Sequence, residues 1–76
     1  MIARSYLSRY RQFTEKLRQA RLEAGLNQSE VAAHFGKHQS FVSKCESGER
    51  RVDFVELEIF AALYGKDISY FTMDEA

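Results

Sequence analysis

The twenty residues from Asn27 to Glu46, NQSEVAAHFGKHQSFVSKCE, leave this chain few ways to fold. Asn27 suits a helix N-cap, because its side-chain oxygen can accept from the free amides of a first turn. Glu30, three residues on, completes a capping-box pattern. Val31, Ala32 and Phe35 then recur at the spacing of one helical face. Gly36 stands where the chain must turn sharply, with the positive φ that glycine adopts without steric cost. A second short helix is predicted over roughly Gln39 to Glu46, and the small Ala32 lets the two helices approach closely.

Helical patterns flank this pair. Helix 1 is predicted from about Ser8, or from Arg4, to Ala24. Phe13, Leu17, Ala20 and Ala24 face the core, and Gly25 is the stop. Residues 47–51, SGERR, read as a loop. Helix 4 starts at the cap Asp53, with Glu56 closing a second capping box, and runs to Tyr64 before Gly65. Leu57, Phe60, Ala61 and Tyr64 share its inner face. A short helix 5 follows the cap Asp67 and carries Ile68, Phe71 and Thr72. Proline is absent, which favours helix after helix.

Two adjacent short helices around a glycine form a helix-turn-helix, the unit that lays its second helix into the DNA major groove. From about Phe13 to Phe71 the chain resembles the Cro/CI-type (XRE, lambda-repressor-like) helix-turn-helix family. The segments that carry the likeness are LRQARLEAGLNQSEVAAHFG, QSFVSKCESGER and LEIFAALYGKDISYF, in that order. The resemblance implies an all-α, compact five-helix domain over residues 13–73, ahead of a short acidic tail at 74–76. Residues 1–12 fall outside the family pattern and either prolong helix 1 or form a basic arm that touches DNA.

On a helical wheel the second helix of the motif divides cleanly. Val42, Cys45 and Glu46 point inward, and Gln39, Ser40, Ser43 and Lys44 occupy the polar arc. These four are the candidate base-contacting residues. Gln39 can pair two-pronged with an adenine edge, Lys44 can donate to guanine, and the serines serve either sense. Phe41 departs from the family pattern and sits at the border of the arc. It either presses on a thymine methyl or folds back onto the core. Candidate phosphate contacts are Gln28, at the positive end of helix 2, and the flanking Lys37, His38, Ser47, Arg50 and Arg51. The resemblance further implies that Gln28 braces Gln39. It also implies that Arg21 pairs with Glu46 to fix the recognition helix to the scaffold.

Charge distribution fits a molecule with distinct faces. The 76 residues balance to zero, with eleven basic and eleven acidic side chains. Residues 1–25 carry a surplus of four positive charges, residues 26–51 a surplus of one, and residues 52–76 a deficit of five. This asymmetry suggests one face for phosphate and an acidic region turned elsewhere.

Other signals carry little. The single Cys45 excludes an internal disulfide and reads as a small buried hydrophobe. His34 and His38 are four apart, but the glycine turn lies between them and no third ligand is evident, so no metal is expected. No cofactor motif and no nucleophile–base set is present, so no enzyme is expected. No apolar run spans a bilayer, and the expectation is a soluble, cytoplasmic protein, bacterial or phage-encoded.

The resemblance therefore implies a small transcriptional regulator, a repressor, that binds double-stranded DNA as a homodimer. Ile68, Tyr70, Phe71 and Met73 are its candidate dimer surface, since family members often pair there. Two-fold pairing sets the recognition helices ~34–36 Å apart on a near-palindromic operator. The alternatives are an antitoxin-type module whose first partner is a toxin, and a restriction–modification controller.

Overall fold

A computed structural model describes residues 2–72 as four α-helices and a terminal 3-10 turn, with no strand among the described residues. The helices are α1 (Ile2–Glu23), α2 (Gln28–His34), α3 (Gln39–Ser47) and α4 (Phe54–Tyr64), and the turn is Ile68–Phe71. Residues 2–12 form the first half of α1. Its length reflects a run with no glycine or proline before Gly25. There the Leu26 amide returns to the Arg21 carbonyl and the Gly25 amide to that of Leu22, a paired closure that satisfies the helix's last carbonyls.

Both capping boxes form. Asn27 Oδ1 accepts from the Glu30 amide at 2.8 Å while Glu30 Oε1 accepts from the Asn27 amide at 2.8 Å. Asp53 and Glu56 exchange the same two bonds at the start of α4. Gly36, at φ +65°, makes the turn between α2 and α3 in the left-handed region where a side chain is strained.

Leu17 and Ala20 of α1, Val31 and Ala32 of α2, Val42 and Cys45 of α3, and Phe60, Ala61 and Tyr64 of α4 form one core, closed by Phe71. Phe41 joins it. Its ring lies 4.9 Å from Phe35 and 6.4 Å from Phe60, so the aromatic side chain folds back onto the core instead of standing on the polar arc. Ala24, assigned to the core face of helix 1, is exposed, because the helix closes just before it.

The fifth helix is a four-residue 3-10 turn, and the Asp67 side chain makes no cap bond to it. Contacts with α1 hold it instead. Arg9 Nη2 donates to the Phe71 carbonyl at 2.8 Å and Lys16 Nζ to the Thr72 carbonyl at 3.4 Å. Arg9 and Lys16 therefore belong to the scaffold, as does the buried Arg21. Two of the N-terminal basic residues are thus turned toward the C-terminal segment and a third is buried against Glu46.

Candidate nucleic-acid interface

Four side chains from three helices tie the start of α3 to the scaffold. Arg21 Nε donates to Glu46 Oε2 at 2.6 Å and Nη2 to Oε1 at 3.2 Å, with both side chains almost fully buried. Arg21 Nη1 reaches the Leu26 carbonyl at 2.9 Å. The Glu46 bond raises the Arg21 guanidinium above its ordinary value, against the opposing effect of burial. Gln28 Nε2 donates to Glu46 Oε1 at 3.0 Å, and Gln39 Nε2 donates to Gln28 Oε1. A carboxylate only accepts, so Glu46 forces Gln28 to present its amide nitrogen inward and its oxygen toward Gln39. Gln39 is then oriented in turn, with its second N–H and its oxygen left over.

The remaining arc residues stand free of the core. Ser40 and Lys44 are exposed, and Ser43 is half-buried beside the core residue Val42. Tyr64, also buried near this network, has its phenol pushed above the ordinary range, chiefly by burial.

The flanking polar residues divide. Lys37 is exposed just after the turn. His38 is the N-cap of α3, its Nδ1 accepting from the Ser40 amide at 3.1 Å. This cap was not foreseen, because histidine is not among the favoured capping residues. Ser47 accepts from the Glu49 amide and donates to the Lys44 carbonyl, so its hydroxyl shapes the loop. Arg50, expected as a phosphate contact, is engaged within the chain. Its Nη1 and Nη2 each donate to Glu56 at 2.8 Å, Nη1 also reaches the Arg51 carbonyl, and the guanidinium covers the Phe41 ring at 4.8 Å. Phosphate binding by Arg50 would have to break this two-pronged pair. The pair pushes the Arg50 guanidinium up and holds the Glu56 carboxyl below its usual range.

Residues 12–68 match the family described as a helix-turn-helix domain. A solved structure described as an XRE-family like protein from Pseudomonas syringae pv. tomato str. DC3000 superposes with a TM-score of 0.84 at 38% identity, covering 92% of this chain and 85% of that one. The chain belongs to the Cro/CI-type XRE helix-turn-helix family. Among curated proteins nothing matches.

Tyr6 and Tyr10 of this XRE protein lie ahead of the matched segment, yet they hold the loop after α3. Tyr10 Oη accepts from the Val52 amide at 3.0 Å, and the Arg51 guanidinium lies 4.4 Å from the Tyr10 ring centre and 5.3 Å from that of Tyr6. Tyrosines one helical turn apart signalled a shared face, but the sequence alone did not show what that face meets.

Of the expected dimer surface, one residue is withdrawn into the core. Phe71 is only 2% exposed and stacks edge-on to Phe13 of α1, so it belongs to the core. Ile68 and Tyr70 are half-buried, with Lys66 lying 4.6 Å above the Tyr70 ring, and Met73 lies outside the described residues. Exposed large apolar side chains among the described residues lie on α4, where Phe54 and Val55 are 62% exposed and Ile59 is 38% exposed, and on α1, at Tyr6, Leu7 and Leu22. No described helix is long and apolar enough to cross a membrane, and no described cluster of His, Cys, Asp and Glu can hold a metal ion.

Proposed function

We propose that this XRE protein is a sequence-specific double-stranded DNA-binding repressor that reads a near-palindromic operator as a homodimer. The observation that carries the reading is the part-buried chain Arg21–Glu46–Gln28–Gln39, which orients an amide at the first residue of α3. Gln39 keeps one N–H and its oxygen, the pair that an adenine edge takes at N7 and N6. Ser40, Ser43 and Lys44 continue the reading surface. Lys37, Ser47, Arg51 and the start of α2 at Gln28 border it and serve the phosphate backbone, which orients the protein without reading sequence. The capped His38 sets where α3 begins.

A module of 76 residues touches few base pairs, and pairing two copies doubles the site. The exposed apolar residues of α4, Phe54, Val55 and Ile59, are the surface such a pairing would cover. The same surface favours a second reading, in which a protein partner of the antitoxin type docks there. Nothing in the arrangement calls for catalysis or a cofactor, and the setting proposed is the cytoplasm.

Titration of the labelled chain with a random-sequence duplex, followed by amide chemical shifts, tests the reading. Movement concentrated in α3 and residues 47–51, fading with salt, is expected. Movement confined to α4, or none at low salt, would favour the protein-binding reading.

A further inference from the structure

We propose that Arg11 and Arg51 form a two-pronged clamp for one phosphate group of the DNA backbone, at the foot of the recognition helix. Arg11 lies outside every contact set expected from the family pattern, and the matched family segment begins at residue 12. The proposal rests on the DNA-binding reading and adds to it a site that helix α1 supplies.

A pocket of about 220 Å³ opens where α1 crosses the end of α3, and Arg11, Thr14, Ser47, Gly48 and Arg51 line it with Tyr10. The crossing is close. A Cβ added to Gly48 would lie 3.9 Å from Thr14 Cγ2, and Thr14 itself is buried with its hydroxyl bound to the Arg11 carbonyl at 3.0 Å. Both guanidiniums are on exposed residues, and neither joins an ion pair with a carboxylate among the described residues.

Two like charges lining one pocket repel unless an anion lies between them. The carbonyl end of α3 offsets only about half a charge. Arg51 is positioned for the task. Its guanidinium lies over the Tyr10 and Tyr6 rings, a contact that does not use up its N–H donors, and the Tyr10–Val52 bond pins the adjoining backbone. Placement selects a DNA phosphate over a free anion. Ser47 lies one turn beyond Ser43 on the same stripe as Gln39, so the pocket continues the reading face where the helix leaves the groove.

The test is fluorescence anisotropy of the full chain on its selected operator and on a scrambled duplex, over a range of salt. The variants are Arg11→Gln, Arg51→Gln, the double, Arg11→Lys, and Arg18→Gln as an exposed α1 control. Each glutamine change in the pocket should weaken both duplexes about three- to tenfold, with the melting temperature unchanged in Arg11→Gln. The double should lower the slope of log affinity against log salt by about 0.9, the value for one phosphate, and not by about 1.8. Arg11→Lys should restore the slope, and Arg18→Gln should not alter it.

Normal affinity and slope in Arg11→Gln, while the unaltered chain reads its operator, overturns the clamp alone. Failure of the unaltered chain to bind any duplex overturns the clamp together with the function it rests on. A melting temperature raised by millimolar inorganic phosphate through Arg11, with duplex affinity indifferent to Arg11, overturns it in favour of a free-anion site.

Discussion

Replacing Glu46 with alanine should cost this domain most of its stability. The carboxylate takes two N–H groups of Arg21 and one of Gln28. Without it the Arg21 guanidinium, its side chain 8% exposed, keeps only the Leu26 carbonyl, and Gln28 loses the bond that orients it. Breaking a buried pair by removing one partner costs about 3–5 kcal/mol. A domain of 76 residues has roughly 4–11 kcal/mol in total, and each kcal/mol moves its midpoint by about 4–8 °C. The melting temperature, followed by circular dichroism at 222 nm, should therefore drop by roughly 15–30 °C. Arg21→Met combined with Glu46→Leu should recover much of the loss, since apolar replacement of both partners removes the unpaired charge. A drop below about 5 °C for Glu46→Ala would refute the claim that this pair anchors α3.

Two further outcomes follow from the core and the charge pairs. Phe41→Leu should cost about 1 kcal/mol, read by urea denaturation, and leave base preference in the selected DNA site unchanged. Lost discrimination at a thymine would instead mean that the ring reaches the groove. For acid, the relevant group is Glu56, whose carboxyl is lowered from 4.5 first by its bonds to Arg50 and further by the Asp53 amide. The folded state then binds this proton less readily than the unfolded chain, so the stabilisation is full above about pH 4.5 and is lost as pH falls through the lowered value. Urea midpoints measured from pH 7 to 3 should fall less steeply in Glu56→Gln, and equal slopes would contradict the pairing.

The local features of the fold were legible because their partners lie within one turn of sequence. Asn27 with Glu30 and Asp53 with Glu56 are three residues apart, and both boxes form as read. What the sequence hid was chosen by distant packing. Arg9 meets the Phe71 carbonyl across 62 positions, so a charge count could not tell a scaffold arginine from a free one. Arg50 finds Glu56 across a loop, at no helical spacing, so this pairing was not legible in the sequence. Phe71 looked available on a terminal element, yet four residues of 3-10 turn roll it into the core beside Phe13. The polar arc of α3 was readable from its wheel alone. Its anchorage through Gln28 and Glu46 was expected only from family resemblance.

The most direct test of α3 as the reading element is selection of random duplex DNA on the purified chain, repeated with Gln39→Ala and Lys44→Ala. A palindromic motif whose half-sites degrade in both variants, at different positions, is the result expected. A well-folded chain that enriches no motif at moderate salt, or one whose motif survives both substitutions, would contradict groove reading by this helix.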